Sequence, residues 1–282
     1  MNDLLELYGI STARANVDWL DVIHQEGCPY LNHRCYKTRK STPSITIGTC
    51  SIRYGRDEKQ IIICPYRLLE RGQVFLDSLH LLTFHEPGNE LHIVSEVAIP
   101  GGSVDYFLVS ARDQKVIDFV GIELQTLDTT GTVWPTRQRF LQRQGVAATD
   151  DEIKHSKGFG MNWKMTAKTI LVQLNHKIRT LENVNKHLVL VLQDYLLDYM
   201  QWAFRFDHLH DARLGDSMHL HSYKLKQTAD QSYHLDLDSR LSTNADGVAR
   251  SLGLQADPNL ALEKILALLE NKISEHTLFV LR

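Results

Sequence analysis

The order in which strand-like and helix-like segments follow one another in the middle of this chain constrains its fold more than any other feature. HIVSEVAI (92–99), VDYFLVS (104–110) and VIDFVGIELQ (116–125) are three successive runs rich in β-branched, aromatic and aliphatic residues. The second and third are separated only by the polar turn ARDQK, which makes them antiparallel neighbours. A long helical pattern follows from 163 to about 182, then HLVLVL, an apolar run too short for a typical helix, then a further helix at about 195–206. Strands, helix, strand, helix is the order of an α/β core.

The flanking segments read less strongly. Residues 2–7 and 15–25 carry helical patterns, and 45–47 and 60–63 read as short strands. YRLLERGQVFLDSLHLLTF (66–84) reads as an amphipathic helix ended by Pro87-Gly88, and 259–276 as a final helix. The expected organisation is an N-terminal helical and cysteine-bearing region, 1–85, followed by a catalytic region with a helical C-terminal extension, 86–282. With 43% hydrophobic and 23% charged residues over 282 positions, the chain can bury a sizeable core. No apolar run reaches the roughly 18 residues of a membrane span, and MNDLLELYGI lacks a basic segment before a greasy one. The expectation is a cytoplasmic protein with no membrane association. A net charge of −3 means that any nucleic-acid contact must come from a local basic cleft.

Four cysteines, Cys28, Cys35, Cys50 and Cys64, fall within 37 residues, and none follows. Cys28 and Cys64 each open the tripeptide Cys-Pro-Tyr. In a reducing compartment clustered thiols point to metal ligation, and a tetrathiolate suits zinc or iron. The spacing C-x6-C-x14-C-x13-C lacks the CxxC knuckles of a zinc ribbon, so four unlinked buried thiols are the competing reading, and two disulfides the reading for an exported chain.

Glu123 and Gln125 lie two apart at the end of the third run, on one face of a strand. Antiparallel pairing brings the start of VDYFLVS, with Asp105, beside them. Two carboxylates so close repel unless a cation sits between them, and a hard divalent ion such as magnesium answers that need. The pattern D-x17-E-x-Q resembles the PD-(D/E)xK nuclease signature with glutamine in place of lysine. A glutamine can orient water but supplies no positive charge. Glu96, on the preceding strand, is an additional candidate acid or a plain exposed strand residue.

EGCPYLNHRCYKTRKS, IGTCSIRY and CPYRLLERGQVF, followed by EVAIPGGSVDYFLVS, VGIELQTLDTTGTVWP and NWKMTAKTILVQ, resemble the NotI-type restriction endonucleases over about residues 27–175. The resemblance implies a restriction-endonuclease-like mixed sheet flanked by helices, in a type II enzyme that works as a homodimer. It implies double-strand cutting of a GC-rich palindromic site in double-stranded DNA, with magnesium at Asp105 and Glu123 and Gln125 completing the catalytic set. It also implies that Cys28, Cys35, Cys50 and Cys64 hold a structural iron, with zinc as the alternative. A nonspecific or repair-type nuclease on the same core, and a non-catalytic tetracysteine protein that binds DNA, are the other readings the residues allow.

Two basic segments are the candidate DNA contacts. Arg137, Arg139 and Arg143 follow the acid-bearing strand, and Lys37, Arg39 and Lys40 follow Cys35. A solvated basic helix face is the alternative for the first group. Lys164 and Lys168, one turn apart, are weaker candidates, and the histidines of FDHLHDARLGDSMHLHS suggest a metal only loosely.

Overall fold

The computed structural model describes residues 3–147, 158–253, 265–267 and 270–272. Its centre is a seven-stranded mixed sheet. Strands β4 (Glu90–Ile99), β5 (Gly102–Arg112) and β6 (Lys115–Gln125) form an antiparallel meander. Helices α3 (Trp134–Arg143) and α4 (Trp163–Asn183) then carry the chain back to β7 (His187–Gln193), which runs parallel to β6. After α5 (Asp194–Ala203), β8 (Met218–Gln227) pairs parallel to β7, and β9 (Tyr233–Thr243) returns antiparallel to β8. A two-residue strand at His210–Asp211 closes that side, and α6 (Ala245–Ser251) follows.

The pleat of β7 explains how the sheet holds its layers. Leu188, Leu190 and Leu192 pack with α4 residues Ile170, Leu174 and Ile178 on one face. Val189 and Val191 point the other way, onto Leu68, Val74 and Phe75. The strand is buried on both faces, which is why it reads as an unbroken apolar run.

The N-terminal region is built differently from its sequence pattern. Residues 3–7 form strand β1 (Asp3–Leu7), not helix, paired with β2 (Thr49–Tyr54), which in turn pairs with β3 (Lys59–Ile62). Leucine-rich DLLEL favours helix locally, but five residues gain more from sheet pairing and from burial on both faces. The helix within 15–25 is shorter than its pattern, α1 (Trp19–Gln25), capped by Asp18. The expected long helix at 66–84 is broken into a 3-10 stretch (Pro65–Gly72), a short α2 (Gln73–Ser78) and a second 3-10 turn (Leu79–Leu81). Tertiary hydrogen bonds account for the break. Arg67, fully buried, donates to Glu6 and to the Tyr233 carbonyl, and Glu70 accepts from the Leu235 backbone, so both side chains are drawn toward other strands. Arg71 and Gly72 turn the chain at positive φ.

Ile52, Ile61 and Ile63 belong to the same apolar cluster as α4 and β7, so the cysteine-bearing region and the large sheet share a core. The final helix of the sequence reading falls mostly outside the described residues, of which 265–267 and 270 are helical. Among the described residues no helix is long and apolar enough to cross a membrane.

Candidate active site and nucleic-acid interface

In the β5–β6 ladder Tyr106 lies opposite Ile122, and one step further brings Asp105 beside Glu123. The backbone ties the two acids together. The Leu124 N–H donates to Asp105 Oδ2 at 2.9 Å, and the Asp105 backbone hydrogen-bonds the Glu123 carboxylate. Glu123 is buried, and burial with the neighbouring charge of Asp105 pushes its pKa up to about 7 against the pull of Lys177.

Lys177 is the residue that sequence reasoning missed. It projects from the second half of α4, is itself buried, and its Nζ lies 2.7 Å from Glu123 Oε1. The signal available was the apolar face of α4: Leu174, Ile178 and Leu181 are core residues, and a lysine between them at 177 demands a buried partner. Gln125, two residues beyond Glu123, is half-buried and spends its amide on the Thr126 carbonyl at 2.6 Å. Glu96 is exposed on β4 with φ of 55°; burial raises the phenols of Tyr106 and Tyr66, and the charge of Glu96 adds a little to each. It stands across from Asp105 in the β4–β5 register, between the Val97–Val104 and Ser95–Tyr106 pairs.

The four cysteines converge. All are free thiols, and all four line one cavity of about 10 Å³ together with Tyr8, Tyr36 and Tyr66. Burial raises the thiol pKa of Cys28, Cys50 and Cys64, which holds these groups protonated at neutral pH. Among the described residues no group of three or more His, Cys, Asp or Glu side chains is already arranged to hold a metal ion.

The basic candidates divide. Lys37, Arg39 and Lys40 form one wall of an open groove of about 720 Å³ whose other wall is Gly131, Thr132, Trp134 and Pro135, just beyond the acid-bearing strand. Arg139 bonds Thr136, and exposed Arg143 pairs with Asp3 at 3.2 Å. Arg137 departs from its expected place at the surface. It is 3% exposed, donates to the Ile47 carbonyl, Gln138 and the Tyr8 hydroxyl, and lies 4.6 Å from the Trp134 ring centre. Its guanidinium is taken up by the protein interior and not presented to a ligand. Arg39 lies 4.7 Å from the same indole, so one tryptophan touches both the buried and the groove-lining arginine. Lys164 and Lys168 are exposed on α4. The last part of the histidine-bearing stretch is strand, and His219 and His221 are fully buried on β8.

A basic groove and a pair of acids on a mixed sheet suit an enzyme that cuts DNA, and comparison with known families puts this chain among the restriction endonucleases. The family is that of restriction endonuclease NotI, whose model matches residues 23–235, and the chain belongs to it. The match takes in the four cysteines, Asp105, Glu123, Gln125 and Lys177, and implies a type II restriction endonuclease. No curated protein matches the chain.

Proposed function

We propose that this type II enzyme makes magnesium-dependent double-strand cuts in a GC-rich palindromic DNA site, acting as a homodimer, with Asp105 and Glu123 at the hydrolytic centre. The observation that carries this is the pairing of the two acids at the start of β5 and the end of β6, with Glu123 buried against Asp105 and a cation already drawn to it. Two carboxylates with substrate oxygens and waters are the usual donor set for magnesium, so the residues present fit that ion. Asp105 and Glu123, with the Leu124 carbonyl, would hold it. When bound, magnesium lowers the pKa of a water and neutralises charge on the scissile phosphate. Gln125 would orient the attacking water, which requires its amide to leave the Thr126 carbonyl. Hydrolysis in line leaves a 5′-phosphate and a 3′-hydroxyl.

The four thiols would hold iron, with zinc as the alternative. Support comes from their convergence on one small cavity without disulfides. Their loss of protons on ligation would replace the protonated state that burial imposes. Such an ion would act as a structural clip for the segment that carries Lys37, Arg39 and Lys40 to the groove.

The test is incubation with long unmethylated GC-rich DNA, with and without magnesium, followed by sequencing of the fragment ends. Discrete magnesium-dependent fragments sharing one palindromic end sequence are expected. Asp105→Ala and Glu123→Ala should lose cleavage while keeping magnesium-free DNA binding. Random degradation, or unimpaired cutting by either variant, would sink the proposal.

A further inference from the structure

Position 125 offers this site a neutral amide, and that amide is turned onto the Thr126 carbonyl. The nearby arginines of α3 are engaged elsewhere: Arg137 with Ile47, Arg139 with Thr136, Arg143 with Asp3. The positive charge acting on Glu123 comes instead from a helix, through Lys177.

A buried ion pair is a costly way to hold a helix to a sheet, because both ions lose water and an apolar pair of similar volume does as well or better. Its position argues for another use. The turn between β4 and β5 rides directly on α4 at this point. Gly101 has φ of +102°, and a Cβ there would lie 2.5 Å from the His176 carbonyl oxygen, so only glycine permits the approach. A Cβ on Gly102 would lie 3.2 Å from Lys177 Cε, and Thr180 Oγ1 donates to the Pro100 carbonyl at 2.7 Å. The same turn starts the strand that carries Asp105 three residues later. One contact between turn and helix therefore sets the places of Asp105, Glu123 and Lys177 together.

We infer that Lys177 is the positioning residue of the hydrolytic centre: from helix α4 it fixes the Glu123 carboxylate and brings the ammonium that the strand lacks at position 125. This rests on the reading of Asp105 and Glu123 as the hydrolytic pair. Lys177 acts through Glu123, as the outer partner that aims a metal-binding carboxylate. The alternative is a staple that holds α4 to the sheet and nothing more.

The two are separated by calorimetric titration of calcium into the protein without DNA, alongside single-turnover cleavage in magnesium and thermal melting, for K177A, K177R and T180V. Lys177→Ala should weaken calcium binding and slow cleavage by roughly 10- to 100-fold each. Lys177→Arg should keep both within about tenfold of the unaltered protein, since a guanidinium can still donate to Glu123. Thr180→Val removes a hydrogen bond of the same turn–helix contact without touching Glu123, and should lower the melting temperature while leaving calcium affinity unchanged. Calcium binding by K177A equal to that of the unaltered protein, or losses in T180V that match those of K177A, would overturn the inference. Because calcium binding is read without DNA, an unaltered protein that binds calcium but cuts nothing would refute the endonuclease reading while the Lys177 test still stands.

Discussion

Burial of His219 and His221 on β8 makes a quantitative demand on acid stability. Both rings are fully buried. His221 has no hydrogen-bond partner at either ring nitrogen, and His219 bonds only the Asp216 carbonyl, through Nε2. Burial, first, and the charges of the surrounding groups lower His219 to about 4 and His221 to about 3. Those neighbours are Arg240 from β9, His80 beyond α2 and His187 from β7, with Asp216 opposing them at His219. The folded protein thus refuses protons that the unfolded chain accepts near pH 6.5. A depressed folded pKa contributes stability that is present above 6.5 and drains away as pH falls toward 4 and 3. Between pH 7.5 and pH 5 each histidine costs about 2 kcal/mol, about 4 kcal/mol together, a large share of the roughly 5–15 kcal/mol by which domains are stable. Urea unfolding at the two pH values reads this loss summed with the opposing gain from Glu123, whose folded pKa is raised to about 7.

His221→Leu isolates half of the effect. The substitution removes two ring nitrogens without a protein partner from a buried site and keeps a side chain of similar volume, so stability at pH 7.5 should hold or rise. The loss between pH 7.5 and pH 5 should shrink by about 2 kcal/mol relative to the unaltered protein. An unchanged pH dependence in the variant would refute the reasoning, because it would mean that the His221 ring already titrates with solvent in the folded state.

Three further outcomes follow from the site. Arg137→Met should lower stability by about 3 kcal/mol, through the orphaned Ile47 carbonyl and the lost bond to Tyr8, and should act on DNA affinity only through folding, as urea titration and binding at matched folded fractions would show. Arg39→Ala and Lys40→Ala should each reduce the slope of log affinity against log salt by about 1 in magnesium-free binding; equal slopes would move DNA away from the groove. Purified protein should carry about one iron or zinc ion per chain by elemental analysis, and its removal by a chelator should lower the melting temperature, whereas Cys64→Ser should lose the ion outright.

The sheet's centre was legible because its residues obey one rule at a time. β5, β6 and β7 are apolar on the faces they bury, so length and turn chemistry sufficed to find them, and their antiparallel join put Asp105 opposite Glu123. The errors came where a polar side chain was recruited across the fold. β8 hid behind His219 and His221, which occupy core positions without being apolar, and the 66–84 segment broke because Arg67 and Glu70 serve strands β1 and β9. Lys177 was lost for the same reason: the apolar face of α4 marks it as buried, but its partner sits 54 residues earlier and no local pattern names it. Local pattern shows what a residue prefers, while long-range pairing of charges depends on which elements meet.

That distinction also explains how a chain of net charge −3 can present a surface to DNA. The cations that look alike in sequence are sorted by burial into two jobs. Arg67 and Arg137 go inward, where Arg67 joins β1 to β9 and Arg137 joins α3 to the cysteine-bearing segment at Ile47 and to Tyr8. With Arg137 fixing Ile47 and Trp134 touching both Arg137 and Arg39, the groove's two walls are tied to each other. On the proposed reading, a ligand gripped by Lys37, Arg39 and Lys40 meets a groove whose walls are already fixed, so little ordering entropy remains to be lost when it binds. Replacing Trp134 by Ala should separate these roles: affinity should fall only modestly, since the cations remain, while the cleavage rate should fall further because the walls that place the DNA are loosened. Equal losses in binding and in rate would mean that the indole serves only as part of the groove's surface.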